Sequence, residues 1–194
     1  MKKAIIGSGA FARELRTYMG YDVPMFVDDE YFSENNDNIH RLSEFDPLEY
    51  EVVIAIADPA VRERIVKKLP ENTQYFTYIH PSAMIFDDSH IGIGSIICPN
   101  VIVSINTHLG NHTQLNMLTT IGHDSFIGDY FTSAPGAKVS GNCTIGDRVY
   151  LGTNGAIKEK ITITSDVTIG LLGGVVKDIT EKGTYVGVPT KKIK

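Results

Sequence analysis

His123 and Asp124 are adjacent in the sequence, and together they form the residue pair best suited to moving a proton. An imidazole exchanges its proton near neutral pH, so histidine suits a general base that deprotonates an attacking amine or hydroxyl. A neighbouring carboxylate can fix the ring tautomer and stabilise the imidazolium. The alternative is an exposed surface pair without chemistry, and the choice between the two depends on the elements that position the pair.

The pair lies within a six-residue repeat that begins at Ile85 and keeps its register through sixteen hexads. The first position of each hexad is Ile, Leu or Val, except at Ser133. Six residues cannot bury their own apolar side chain, so neighbouring repeats must stack. The period therefore predicts a parallel β-helix with three faces and eighteen residues per coil, whose first-position side chains point inward. Residues 181–194 leave the register and are predicted to cap the prism or run back along it.

The same register sets the direction of the histidine. His123 occupies the third hexad position, just after a glycine, where a side chain is predicted to project outward. Gly141 follows eighteen residues later at the same position. In a regular helix the two residues stack about one inter-strand spacing apart, roughly 4.8 Å. A glycine at that point leaves its backbone N–H approachable.

Residues 1–80 follow a different pattern, in which strands and helices alternate, and this predicts a small α/β unit with a parallel sheet. About four strands are expected, the last of them spanning residues 73–80. The segment GSGAFA follows the first strand and opens a helix, with Gly7 and Gly9 in the turn and Asp28 at the end of the next strand. This is the dinucleotide fingerprint, with the helix N-terminus suited to phosphate. Eighty residues build only half of a dinucleotide fold, so a mononucleotide such as the nucleotide part of a sugar nucleotide is the better fit.

Composition excludes several other classes of function. The 194 residues carry a net charge of −5 without a basic stripe, which argues against a nucleic-acid groove. The N-terminus lacks the features of a signal peptide, and no apolar run approaches the length of a membrane span. Cys98 and Cys143 are far apart and have no metal-ligand spacing. We therefore expect a cytoplasmic protein without a nucleic-acid or membrane partner.

The other histidines raise the possibility of a metal site. His90 and His108 are eighteen residues apart and should stack, but His112 and His123 fall at other hexad positions. Without a convincing third ligand, a stacked surface ladder is favoured and no metal is expected.

The motifs of both halves carry a family resemblance. The repeat segment IGHDSFIGDYFTSAPGAKVSGNCTIGDRVYLGTNGAI, with VVKDI and GVPTKK after it, resembles the left-handed β-helix acyltransferases of the hexapeptide-repeat class. Together with IIGSGAFARE, VDD, AIADPAVR and IHPSA, it is similar to one branch over nearly the whole chain. That branch contains the sialic-acid O-acetyltransferases and the UDP-4-amino-sugar N-acetyltransferases.

The resemblance implies an architecture and a set of partners. It implies an α/β half-Rossmann-like nucleotide-sugar domain over residues 1–80, followed by a left-handed parallel β-helix acyltransferase domain with a C-terminal cap over residues 81–194. It also implies a homotrimer that binds acetyl-CoA in the cleft between neighbouring prisms and holds a nucleotide-linked sugar in the N-terminal domain.

Individual residue roles follow from the same resemblance. His123 would be the general base, Asp124 its acidic neighbour, and the Gly141 amide would support the oxyanion. Asn116 matches a position that hydrogen-bonds near the nucleophile, although a polar corner residue is an equal alternative. The expected acetyl-CoA positions are Gly141, Gly155, Gly173, Gly174, Lys177, Pro189 and Lys191. The expected substrate positions are Gly7, Gly9, Ala10, Phe11, Asp28, Asp29 and, more weakly, Asp58; some relatives have histidine in place of Phe11.

The predicted function is acetyl-CoA-dependent N-acetylation of a nucleotide-linked 4-amino-deoxysugar. Three alternatives stay open: O-acetylation of a sialic acid or related sugar, a metal-dependent hydrase of the same fold, and a non-catalytic nucleotide-sensing trimer that serves as a scaffold.

Overall fold

A computed structural model describes residues 1–33 and 38–194. The chain divides into two compact units, Met1–Thr77 and Tyr78–Lys194. The boundary predicted after residue 80 lies three residues later in the sequence, directly after the first strand of the second unit, Tyr78–Ile79.

The first unit is a parallel sheet with two α-helices. The strands run in the order β3-β2-β1-β4-β5, and every described pair is parallel. Their bounds, with those of the helices, are β1 (Lys2–Ile6), α1 (Ala10–Met19), β2 (Met25–Val27), β3 (Ile39–Arg41), β4 (Tyr50–Ile54), α2 (Pro59–Lys68) and β5 (Gln74–Tyr75). Single 3-10 turns occupy Asp29–Tyr31 and Leu42–Glu44. This arrangement agrees with the predicted half-Rossmann-like domain.

Two details of the sheet differ from the sequence prediction. The edge strand β3 was missed, because its three residues are only half-buried and show no apolar run. The single strand expected over residues 73–80 is divided into β5 and β6 (Tyr78–Ile79), which join different sheets. The break falls around Phe76, whose side chain is buried and whose N–H donates to Val52.

The apolar runs of the strands supply the core of this unit. Ala4 and Ile6 of β1 pack with Val52 and Ile54 of β4 and with Phe26 of β2. Strands buried on both faces of a parallel sheet need such near-continuous apolar sequence. The core holds the carboxyl ends of β1, β2 and β4 in place, and these are the ends at which an α/β sheet binds ligands.

The second unit is a parallel β-helix whose short strands lie in three sheets. Its further strands are β7 (Met84–Ile85), β8 (His90–Ile91), β9 (Ile96–Ile97), β10 (Ile102–Val103), β11 (His108–Leu109), β12 (Gln114–Leu115), β13 (Thr120–Ile121), β14 (Phe126–Ile127), β15 (Thr132–Ser133), β16 (Lys138–Val139), β17 (Thr144–Ile145), β18 (Tyr150–Leu151), β19 (Ala156–Ile157), β20 (Thr162–Ile163), β21 (Val167–Ile169), β22 (Gly174–Val175), β23 (Gly183–Val186) and β24 (Lys191–Lys192). The sheet orders are β22-β19-β16-β13-β10-β7, β20-β17-β14-β11-β8 and β24-β23-β21-β18-β15-β12-β9-β6.

The register confirms the predicted coil of eighteen residues. Ile102 pairs with Thr120, and Thr120 pairs with Lys138. From Ile97 to Val175, every first-position side chain is at least 98% buried. These aliphatic side chains therefore form the continuous inner column that the hexads predict.

Ser133 interrupts this column without leaving its hydroxyl unsatisfied. Its Oγ lies 2.9 Å from Thr119 Oγ1, and it accepts the Asn116 N–H at 3.3 Å. A buried hydroxyl is tolerated when it is hydrogen-bonded, so the polar residue is compatible with the core.

The corners of the coils repeat one backbone conformation at the fourth hexad position. Asn106, Asp124 and Asp166 all have positive φ, at 51°, 56° and 61°. Asn and Asp adopt this left-handed conformation more readily than most side chains. The turn therefore favours Asn and Asp at these corners, although Leu118 and Arg148 adopt the same conformation.

The C-terminal segment extends the largest sheet. Strand β23 pairs in parallel with β21, and β24 returns antiparallel to β23. This hairpin pairs with the edge strand β21 of that sheet at the C-terminal end of the prism.

Candidate active site

The candidate catalytic pair lies on the corner after β13. His123 Nδ1 is 2.7 Å from Asp124 Oδ2, and the two side chains are 54% and 43% exposed. A carboxylate can only accept at this contact, so Nδ1 carries the proton. The second ring nitrogen, Nε2, is then the one with a free lone pair. The sequence placed the His123 side chain outward, and the structure adds that it is joined to Asp124 and that both side chains are open to solvent.

Asn106 is a third member of this corner, which sequence reasoning missed. Its Nδ2 donates to Asp124 Oδ1 at 2.7 Å from the preceding coil. This bond, followed by the one to His123, holds the pKa of Asp124 below its ordinary value of 3.8. The carboxylate therefore stays ionised at neutral pH. The eighteen-residue spacing from Asn106 to Asp124 was the signal that could have revealed the contact.

Gly141 lies against the imidazole, one coil after it, as the spacing predicts. A Cβ atom at Gly141 would lie 2.8 Å from both Cε1 and Nε2 of His123. The absence of a side chain is thus what allows the ring to occupy its position. The next residue, Asn142, donates its N–H to the His123 carbonyl at 2.8 Å.

At a neighbouring corner of the prism, the third-position amides are bound by side chains of the next coil. The N–H groups of Ile93, Asn111, Asp129 and Asp147 each donate to a side-chain oxygen eighteen residues later, at 2.7–3.1 Å. The acceptors are the same column of residues, ending at Ser165. Each coil is thereby tied to the next through its corner.

The His123 corner does not use this ladder. Within residues 1–33 and 38–194, the Gly141 N–H has no hydrogen-bond acceptor. An unused backbone N–H on the glycine that packs against the histidine ring is a group that could stabilise a developing oxyanion. The corner therefore combines a proton acceptor and an amide donor.

Asn116 belongs to the preceding corner of the same coil. Its Oδ1 accepts the Met117 N–H at 2.8 Å within its own turn. Over the described residues, no hydrogen bond joins Asn116 to His123 or Asp124. The geometry of one chain thus matches a polar corner residue, and contact with the nucleophile stays a prediction.

The predicted acetyl-CoA residues fall into two groups. Lys177, Pro189 and Lys191 line one groove of about 330 Å³, between β22 and the C-terminal hairpin. Two cationic side chains in a shared groove suit a phosphorylated ligand.

The predicted glycines have packing roles in the prism. A Cβ at Gly155 would lie 2.7 Å from Leu151, and one at Gly173 would lie 2.5 Å from Ile169. Gly174 donates to the Gly187 carbonyl at 2.9 Å and leaves room for the C-terminal segment. These glycines therefore shape the coil and seat the segment that lines the groove.

A cavity of about 510 Å³ opens at the carboxyl ends of the first unit's strands. Its lining includes the predicted residues Gly7, Gly9, Ala10, Phe11 and Asp28. Gly7 has a φ of +117°, and a Cβ there would approach the Ala55 carbonyl to 3.0 Å.

Helix α1 begins at this cavity. Its N-cap residue, Gly9, offers no side-chain cap, so the first amides of the helix are available to an anion. The sequence reasoning missed Arg64, an exposed cation on the cavity wall.

The three predicted aspartates each have a partner within the first unit. Asp58 caps α2 by accepting the Val61 N–H at 2.9 Å, and it lies outside the cavity lining. Asp29 accepts the Ser43 N–H, and this contact with Ser43 holds the pKa of Asp29 below its ordinary value. Asp28 forms an ion pair with Lys68 at 2.7 Å. Of the three, Asp28 alone faces the cavity.

The histidine ladder is stacked as predicted. The rings of His90 and His108 are 4.6 Å apart, and Phe126 stacks on His108 at 4.7 Å. In the part of the chain that the structure describes, no group of three His, Cys, Asp or Glu side chains could hold a metal ion. Among the described helices, none has the length and apolarity that a bilayer crossing requires.

Comparison with known proteins gives the class that this fold and site define. Residues 2–69 match the family model of the PglD N-terminal domain. GDP-perosamine N-acetyltransferase of Escherichia coli O157:H7 is 33% identical over 172 residues, which cover 81% of this chain and 78% of that protein. The chain belongs to the family of hexapeptide-repeat sugar acetyltransferases. The predictions of this family and of an acetyltransferase enzyme are confirmed.

Solved structures support the fold over its whole length. The acetyltransferase domain of PglB from Neisseria gonorrhoeae FA1090, in complex with acetyl coenzyme A, matches with a TM-score of 0.87 at 24% identity, covering 99% of this chain and 98% of that chain. WeeI from Acinetobacter baumannii AYE matches with a TM-score of 0.89 at 27% identity and 99% coverage of both chains. The predicted fold class, a half-Rossmann-like domain followed by a left-handed β-helix, is confirmed.

Proposed function

We propose that this enzyme transfers the acetyl group of acetyl-CoA to the amine of a nucleotide-linked 4-amino-deoxysugar, with His123 as the general base. The observation that carries this proposal is the 2.7 Å contact between His123 Nδ1 and Asp124 Oδ2, which leaves Nε2 as the proton acceptor. The acyl donor and the amino-sugar acceptor are supported by relatives, one bound to acetyl coenzyme A and one named for GDP-perosamine.

The reaction requires a group that accepts the proton of the attacking amine and later donates it to the departing CoA sulfur. The uncharged amine nitrogen attacks the carbonyl carbon of the thioester, forming the C–N bond and an oxyanion, while His123 Nε2 takes the proton that the nitrogen loses. Collapse of this intermediate restores the carbonyl and breaks the C–S bond. The departing CoA sulfur then takes the proton from the imidazolium, so the histidine ends in its original state.

Asp124 and Gly141 assist this sequence in different ways. The carboxylate stabilises the imidazolium that exists between the two proton transfers. The unused Gly141 amide is the proposed donor to the oxyanion, whose negative charge develops during the attack. Asn116 is proposed to hydrogen-bond near the nucleophile through its amide nitrogen.

The donor and acceptor are proposed to bind in the two cavities described above. The groove at Lys177, Pro189 and Lys191 would hold phosphate groups of acetyl-CoA, and Gly173 and Gly174 leave room for the C-terminal segment that lines it. In the first unit, the N-terminus of α1 and Arg64 would bind the diphosphate, and Asp28 would contact the base or ribose.

We further propose a cytoplasmic homotrimer. Met84, Phe86, Ile102, Ile105 and Phe126 are large apolar side chains of the prism that stay exposed in the single chain. Exposed apolar groups of this kind are typical of surfaces that associate. Ile105 lies one coil before His123 at the same hexad position, so association there would bring a second prism near the catalytic corner.

A free-thiol assay tests the proposed reaction. Acetyl-CoA is offered with a panel of UDP-, dTDP-, GDP- and CMP-linked sugars that carry either an amine or only hydroxyl groups. We expect thiol release with a 4-amino sugar nucleotide, and His123→Ala should lower kcat by about 10²–10⁴-fold.

His90→Ala is the matched control, because it removes an exposed histidine of the same prism at the end of the stacked ladder away from Phe126. It should retain wild-type kcat. Full activity of His123→Ala would overturn the mechanism, and thiol release only with hydroxyl acceptors would replace N-acetylation by O-acetylation.

A further inference from the structure

The Asp124 carboxylate is held from both sides. Its Oδ2 lies 2.7 Å from His123 Nδ1, and its Oδ1 accepts the Asn106 Nδ2–H at 2.7 Å. Asn106 precedes Asp124 by one coil, and both occupy the left-handed fourth hexad position. The three side chains therefore form a continuous hydrogen-bonded row across two coils.

We propose that Asn106 is a positioning residue for the transfer reaction, which orients the Asp124 carboxylate so that His123 keeps its proton on Nδ1 and presents the Nε2 lone pair. This inference rests on the proposed role of His123 as base. Neither the hexapeptide motif nor the adjacency of the catalytic pair identifies the asparagine.

The need for such a residue follows from the exposure of the pair. The Asp124 side chain is 43% exposed, so without a second contact its carboxylate is free to rotate towards solvent. An amide N–H on one oxygen stops this rotation and leaves the other oxygen facing the imidazole. The same bond is the largest cause of the lowered pKa of Asp124.

The prism contains a second contact between fourth-position side chains of successive coils, in a different column of corners from His123. Arg148 and Asp166 also occupy the fourth position of hexads one coil apart, and Arg148 Nε lies 2.7 Å from Asp166 Oδ1. That ion pair ties two coils together in a different column of corners from His123. Removing this contact shows the effect of losing any coil-to-coil corner contact. Comparison with loss of the Asn106 contact then isolates the specific effect on the His123 imidazole.

The test compares Asn106→Gly with the matched control Asp166→Gly. Glycine accepts the positive φ of either corner without strain, so both variants delete a coil-to-coil contact and preserve the turn. Thiol release gives kcat and KM, and ¹⁵N NMR of the histidine side chains gives the tautomer of His123.

We expect Asn106→Gly to lower kcat about tenfold, as for the loss of one hydrogen bond to a charged group, with both KM values unchanged. The ¹⁵N spectrum should show His123 Nδ1 losing part of its proton to Nε2. Asn106→Asp, which keeps the shape but removes the N–H donor, should reproduce both effects. Asp166→Gly should change neither kcat nor the His123 tautomer.

Two outcomes would overturn the inference: a wild-type tautomer and kcat in Asn106→Gly, or an equal loss of kcat in Asp166→Gly. The tautomer is read without substrate, so it remains informative if His123→Ala proves fully active. In that case the proposed function fails, while a tautomer shift would still show that Asn106 orients the pair.

Discussion

At the scale of single residues, the catalytic corner depends on what Gly141 lacks as much as on what His123 carries. The imidazole occupies space that a β-carbon on the next coil would take. The His123 corner lacks the ladder of side-chain acceptors found at the neighbouring corner, and within the described residues the Gly141 N–H has no acceptor. One glycine therefore serves both the placement of the base and the proposed oxyanion contact.

We expect Gly141→Ala to lower kcat by about tenfold or more while the fold is kept. The new Cβ would meet only the far end of a movable side chain, at 2.8 Å from His123 Nε2, so the ring moves and the backbone does not. Steady-state thiol release measures the effect, and an unchanged melting midpoint by circular dichroism is the control. A variant with wild-type kcat would show that the ring position is not critical.

At the scale of secondary-structure elements, one hexad contains two leucines with opposite roles. Leu115 is the first residue of its hexad and is fully buried in the inner column, whereas Leu118 is the fourth and is 54% exposed. Hydrophobicity alone does not separate them. The hexad register does, because it turns one side chain into the prism and the other out of it.

Leu115→Ala should reduce the free energy of unfolding by about 2–5 kcal/mol, since it removes buried methyl groups and leaves a cavity. Leu118→Ala, in the same hexad, should change it by less than about 0.5 kcal/mol. Chemical denaturation of both variants measures the difference. Equal effects would contradict the assignment of inward and outward positions.

At the scale of the whole molecule, the exposed apolar side chains on the outer faces of the prism favour association between copies of the chain. Phe126 is 51% exposed although it stacks on His108, and it lies three residues after His123 in the sequence. A single chain leaves this surface in water. A trimer would cover it and enclose the catalytic corner.

Sedimentation of the wild-type protein should give three times the chain mass of 21.3 kDa. Phe126→Asp should shift the protein towards the monomer and lower kcat together with it, because a charge in an apolar contact is costly. Tyr21→Asp changes an exposed aromatic residue of the first unit and should leave both unchanged. A trimeric, fully active Phe126→Asp variant would place the interface elsewhere.

The sequence by itself determined the prism and the outward position of the candidate base, His123. A strict hexad with inward aliphatic residues has one stable solution, because each repeat needs its neighbours to bury its side chain. The same register turned His123 outward and placed Gly141 one coil later. In the first unit, the glycine turn and the strand–helix alternation predicted the sheet and its cavity, and composition alone argued against a nucleic-acid groove.

Only the tertiary structure decided which corner residues touch. Asn106, Asp124 and Gly141 come from three successive coils, and their contacts with one another and with His123 depend on rotamers that no period encodes. The same holds for Arg64 on the cavity wall and for Asp58, which caps α2 outside the cavity. The hexad period fixes the direction of each side chain and its spacing along the chain. The candidate site depends on side chains from different coils that contact one another, and these contacts are set by packing.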